Sequence, residues 1–90
     1  MTSAEVRAVR EGLGLNQSQL AQLLGVHPLT VSKWERGLLS PSPHQDTLLR
    51  SFRKAAKKPD IGEEVASALL AAGVAFALLL LLEAAFEKKR

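Results

Sequence analysis

Residues Leu13 to Gly37, LGLNQSQLAQLLGVHPLTVSKWERG, constrain the fold most tightly, because they hold two short helical patterns separated by a single glycine. Asn16 is a good N-cap and Gln19, three residues on, closes a reciprocal capping box, so a helix is expected to start at Gln17. Leu20, Ala21, Leu23 and Leu24 recur at helical spacing, and Ala21 is small enough to let a second helix cross closely above it. Gly25 is expected to end this helix by taking positive φ. Val26 then plugs the corner, and His27-Pro28 restarts the chain, since the first position of a helix loses nothing by lacking an N–H. The second helix is predicted from Pro28 to Arg36, with Gly37 as its stop. Within it only Val31 and Trp34 are spaced i, i+3 to face a core. Leu29, Thr30, Ser32, Lys33 and Arg36 are left pointing outward as a short, mixed polar and basic face.

The flanks repeat the same capping logic. Thr2-x-x-Glu5 predicts a first helix from about Ser3 to Gly12. Ser40-Pro41-Ser42-Pro43 is a stiff loop, and Ser42 with Gln45 caps a fourth helix from Pro43 to about Lys57, with Pro43 at its first position. The chain is long enough for one small domain and an appendage. Val6, Val9, Leu13, Leu15, Leu20, Leu24, Val26, Val31, Trp34, Leu48, Leu49 and Phe52 are the expected core.

From Arg7 to about Phe52, half of the chain, the sequence resembles the helix-turn-helix domain of phage repressors, Cro proteins and XRE-type regulators, including many toxin-antitoxin antidotes. The resemblance is carried by Arg10, Gly14, Leu15, Asn16, Gln17, Leu20, Ala21, Leu24, Gly25, Val26, Val31, Trp34, Glu35 and Gly37, and by the later SPSPHQDTLLRSF. It implies that Gln17, first in the first motif helix, touches a DNA phosphate, which its amide and the exposed helix N-terminus suit. The alternative is an ordinary polar residue in a first turn. Base reading is implied for Pro28, Leu29, Ser32 and Lys33: Lys33 donates to guanine O6 and N7, Ser32 donates or accepts, and Leu29 packs on a thymine methyl. Lys33 contacting phosphate alone stays open beside this. The set departs from members that carry amides at the first two positions for a bidentate contact to adenine. His27, Thr30 and Arg36 complete the expected DNA-facing residues. Leu38 and Leu39 stand where family members often carry basic or polar residues, which suggests weak backbone anchoring there or a protein contact.

The family often pairs an arginine of the first helix with the glutamate before the closing residues, and Arg10 and Glu35 occupy those places. An ion pair bracing the first helix against the recognition helix is expected; two solvated charges are the alternative.

Charge is informative through its distribution. Residues 1–60 carry nine Lys/Arg against five Asp/Glu, whereas residues 61–90 carry three against four, so the basic surplus lies on the part that the resemblance implies binds DNA. Arg50, Arg53, Lys54, Lys57 and Lys58 are candidates for phosphate contacts or for a solvated helix face. There is no cysteine, which excludes disulfides and thiolate metal sites. His27 and His44, each near a helix start, read as cap-like or phosphate-facing residues rather than metal ligands. No catalytic constellation or glycine-rich phosphate loop appears, so neither an enzyme nor a cofactor is expected.

After Pro59-Asp60, with Asp60 as cap and Glu63 completing a box, one helix is predicted from Ile61 to about Lys88. It includes eighteen uncharged residues, Val65 to Leu82, and keeps no polar face: Ser67, Ala68, Ala71, Ala72 and Ala75 share a side early on, and Leu78, Leu79 and Leu82 occupy it later. Three environments suit such a helix. A membrane span would reach about 27 Å, near the lower limit for a bilayer core of about 30 Å, and would require Lys88, Lys89 and Arg90 to cross. A homodimer would use the small face for close approach, and a toxin or other protein partner would take the helix in a groove. Residues 1–30 lack the apolar stretch of a secretory signal.

The expectation is therefore an all-α protein. Residues 1–58 form a phage-repressor-like DNA-binding domain of about four helices, and residues 61–88 a long apolar C-terminal helix for oligomerisation, partner docking or anchoring. The expected function is that of a cytoplasmic transcriptional repressor that binds a palindromic operator in double-stranded DNA as a homodimer through its C-terminal helix. The competing reading is an antitoxin-like interaction protein, or one tethered at the cytoplasmic face of a membrane, in which that helix carries the main function; the membrane is not favoured.

Overall fold

Six helices and no strand make up residues 1–86, the part that this computed structural model describes. They are α1 (Ser3–Gly12), α2 (Gln17–Leu24), α3 (Pro28–Glu35), α4 (Pro43–Ala55), α5 (Ile61–Ala71) and α6 (Val74–Ala85). Three starts are closed by the reciprocal boxes read from the sequence: Thr2 with Glu5, Asn16 with Gln19, and Ser42 with Gln45. Each box satisfies two backbone donors that the first helical turn leaves orphaned, which explains why the boundaries fall where the caps are. Helix α3 ends at Glu35 with Arg36 as its cap, and α4 stops at Ala55, two residues short of the expected Lys57.

The C-terminal part corrects the expectation of one long apolar helix. The chain breaks at Ala72-Gly73, where Gly73 takes φ 96 and both amides donate to the Ala68 carbonyl at 2.8 Å. The physical reason is exposure. A continuous apolar helix would leave most of its surface in water, whereas the break lets α5 and α6 pack on each other and α6 pack on α4 and α2. Ile61, Val65 and Ala68 of α5 and Ala77 and Leu81 of α6 thereby join the core. No helix among the described residues is long and apolar enough to cross a membrane, so the single span over Val65 to Leu82 is not formed. The expected extension to Lys88, and the terminal cations Lys88, Lys89 and Arg90, lie outside the described residues.

The start of α5 is a second correction. Asp60 has φ 63 and makes no side-chain cap, so the expected box with Glu63 is absent. The cap geometry demands extended backbone, and a left-handed Asp60 aims its carboxylate elsewhere. Gly62 decides how the helix docks: a Cβ there would collide with the Leu13 carbonyl oxygen at the end of α1. That close approach is open only to glycine.

Of the expected core, Val6, Val9, Leu13, Leu15, Leu20, Val31, Trp34, Leu49 and Phe52 are buried. Leu24, Val26 and Leu48 are only half-buried at its margin, while Ala21, Leu23 and Ala55 lie inside. The difference on α2 is one of phase: Leu20 and Leu23 point inward together, three residues apart, and Leu24 falls to the edge of that face.

Candidate nucleic-acid interface

The corner between α2 and α3 is built by Gly25 at φ 68 and by the Val26 amide, which donates to the Ala21 carbonyl at 3.0 Å. Ala21 is itself buried, consistent with α2 and α3 packing closely at this point. His27 caps α3: its Nδ1 accepts from the Leu29 amide at 3.0 Å. A ring nitrogen that accepts carries no proton, so the neutral ring holds its proton on Nε2. Pro28 fills the first helical position as expected.

Val31 and Trp34 turn inward and are almost fully enclosed. The opposite side of α3 carries the residues singled out in the sequence. Leu29 is half exposed, Lys33 and Arg36 are exposed, and Thr30 and Ser32 are half-buried at the sides of that face. Arg36 lies back along the helix, with Nε donating to Ser32 Oγ at 3.1 Å. The helix thus presents an apolar residue near its start and cations toward its end on one exposed strip.

Behind that strip stands Glu35, buried at the end of α3. Arg10 donates to it twice, from Nε to Oε2 at 2.7 Å and from Nη2 to Oε1 at 2.9 Å, and its Nη1 donates to the Leu15 carbonyl at 3.0 Å. The brace between α1 and α3 is therefore present, and it is wider than the sequence suggested. Arg7 Nε and Gln17 Nε2 each donate to Glu35 Oε1 at 3.3 Å. Burial alone would push the Glu35 carboxyl up, but the hydrogen bonds from Arg10 and Gln17 and the Arg10 charge hold it below its ordinary range. The same hydrogen bond raises the Arg10 guanidinium.

Arg7 was missed as a member of this group, although its place three residues before Arg10 puts the two on one face of α1. Gln17 was expected to offer its amide to a phosphate. In the structure that amide gives one of its two protons to Glu35, and the backbone N–H groups of the α2 start stand beside it as further donors. His44 lies exposed near the start of α4, and no group of metal-ligating residues occurs among the described residues.

No curated relative and no solved structure matches the chain. A family model described as helix-turn-helix matches residues 6–50, half of the chain, and spans the brace, the α2–α3 corner and the exposed strip of α3. With that match over these elements, the chain belongs to the XRE-type helix-turn-helix family of DNA-binding regulators.

Proposed function

We propose that this regulator is a repressor that reads a palindromic operator as a homodimer, entering the major groove with the outer face of α3. The observation that carries the reading is the strip formed by Leu29, Ser32, Lys33 and Arg36 on a helix whose other side is locked by Trp34 and Glu35. A recognition helix must be rigid and aimed as well as polar, because discrimination between bases rests on side-chain geometry. Lys33 donates to guanine O6 and N7, and Leu29 meets a thymine methyl. With Ser32 Oγ accepting from Arg36, its own hydroxyl proton is free to be donated, which matches acceptors on a purine edge or a phosphate. His27 Nε2–H and the first backbone amides of α2, beside Gln17, suit phosphate oxygens; Pro28 and Thr30 shape the entry of the helix.

The dimer is supported by the outer side of the C-terminal hairpin. Leu70 is 90% exposed, Phe76 50% and Leu79 51%, a concentration of apolar surface that a second copy would cover. Two-fold symmetry then mirrors the two half-sites of a palindrome. The same surface favours a second reading, an antitoxin-like contact with a partner protein.

Selection of random duplexes by the full chain, followed by electrophoretic shift, tests the proposal. A palindromic consensus bound at least about a thousandfold more tightly than unrelated DNA is the expected result. A Lys33→Ala variant that keeps both affinity and sequence preference would overturn the assignment of α3 as the reading element.

A further inference from the structure

A groove of about 510 Å³ runs between α4 and the end of α6. Among the described residues its lining carries four cations, Arg50, Arg53, Lys54 and Lys57, together with the ring of Phe86 and no carboxylate. Most of the wall is nonetheless carbon, supplied by the ring and by the aliphatic stems of the long side chains. Two of the cations are already engaged: Arg50 pairs with Asp46 at 2.7 Å and Arg53 with Glu5 at 3.3 Å. Lys54 and Lys57 have no ion-pair partner among the described residues and stand three positions apart, on one side of the chain.

A largely carbon-walled groove whose lining includes two unpaired lysines selects a particular chemistry. The ligand needs a body that gains by leaving water and an anionic head that gains from Lys54 and Lys57. The size falls in the range of small-molecule sites, about 300–1,000 Å³. A phosphodiester backbone meets only half of this description, since it has nothing apolar to lay on Phe86.

We propose that the groove binds a small amphiphilic anion, an aryl or long acyl body carrying a carboxylate, sulfonate or phosphate head. The body lies on Phe86 and the methylene stems, and the head sits between Lys54 and Lys57. The site is separate from the face of α3, so it stands whether or not that face reads bases.

Titration of the full chain with 8-anilinonaphthalene-1-sulfonate, followed by its fluorescence, tests the site. One saturable equivalent is expected. Lys54→Glu/Lys57→Glu weakens binding about tenfold or more, and N-phenyl-1-naphthylamine, which keeps the aryl body without the sulfonate, binds at least about tenfold more weakly. Val74→Ser, at the exposed start of α6 away from the groove lining, leaves the affinity unchanged. Should the doubly acidic variant lose its helical circular dichroism, Lys54→Ala/Lys57→Ala replaces it with an expected loss of about threefold. The proposal is overturned if charge removal leaves the probe bound as before, if the neutral analogue binds equally well, or if Val74→Ser abolishes binding. It is also overturned if a short duplex of arbitrary sequence displaces the probe, for the groove would then belong to the DNA surface.

Discussion

Arg10 and Glu35 meet as a two-pronged fork, with Nε and Nη2 on separate carboxylate oxygens at 2.7 and 2.9 Å, and so tie the middle of the family domain to its first helix. The two partners are not equivalent. The Glu35 side chain is 1% exposed, whereas that of Arg10 is 16% exposed and keeps a second acceptor in the Leu15 carbonyl. Arg10→Met leaves a buried carboxylate with only the longer contacts from Arg7 and Gln17, and is expected to cost about 3 kcal/mol. Glu35→Gln strands a cation that can still reach water, and is expected to cost about half as much. Urea unfolding of the two variants gives the order, and equal losses would show that the carboxylate is not the vulnerable partner.

The same carboxylate sets a pH dependence. Its folded pKa lies below the ordinary value of 4.5, so the stabilisation is complete above that value and is lost as the pH falls through the lower, folded one. Glu5 and Asp46 are lowered as well, Glu5 first by its bond from the Thr2 backbone and Asp46 first by Arg50, and they share the acid slope. Thermal melts of the native chain are therefore expected to be flat from neutrality to about pH 5 and to fall below it. Glu35→Gln gives a lower starting stability but a shallower acid decline. A variant that declines as steeply as the parent would remove Glu35 from the acid transition.

His27 separates capping from recognition. His27→Ala removes the acceptor for the Leu29 amide and is expected to destabilise α3 by about 1 kcal/mol, whereas His27→Asp retains an acceptor and the stability. If the Nε2–H also meets a phosphate, His27→Asp binds DNA more weakly despite being well folded, because a carboxylate replaces a donor. Melting curves and shift assays on the pair distinguish the two roles.

The parts of the chain that were legible in the sequence are those decided by local chemistry. Capping boxes at Thr2, Asn16 and Ser42, the left-handed Gly25 and the proline-led start of α3 depend on residues within one turn of each other, and each stands in the structure. The Arg10–Glu35 pair was legible only through the family resemblance, since its two residues lie 25 apart. What the sequence concealed depends on packing at a distance. Gly73 inside an apolar run is tolerated in a long helix at about 1 kcal/mol, so nothing local demanded the break; the gain comes from burying Val65 and Leu81, which only the folded hairpin reveals. Asp60 misled for the complementary reason: it is a good cap by type, but the docking of α5 against Leu13 holds its backbone in the wrong region.

Gly62 tests that docking directly. Since a Cβ would meet the Leu13 carbonyl rather than a flexible side chain, Gly62→Ala cannot be accommodated without moving α5 away from α1. A loss of about 2–3 kcal/mol is expected, although alanine is the better helix former by about 1 kcal/mol. Guanidinium unfolding checks the magnitude, and an unchanged or raised midpoint would show that α5 is free to shift.

The hairpin face provides the last prediction, which concerns the proposed dimer. Phe76 and Leu79 are three residues apart on α6 and are each about half exposed, so polar replacements there leave the monomer core of Ala77 and Leu81 intact. Phe76→Ser/Leu79→Ser is therefore expected to keep its melting temperature at high dilution, to sediment as a monomer where the parent sediments as a dimer, and to bind an isolated half-site as the parent does. Its affinity for the full palindrome falls about a hundredfold, because the second half-site no longer binds as part of one linked assembly. A parent chain that is monomeric at micromolar concentration both free and on its operator would remove the symmetric assembly. A double variant that stays dimeric would instead place the dimer contact elsewhere.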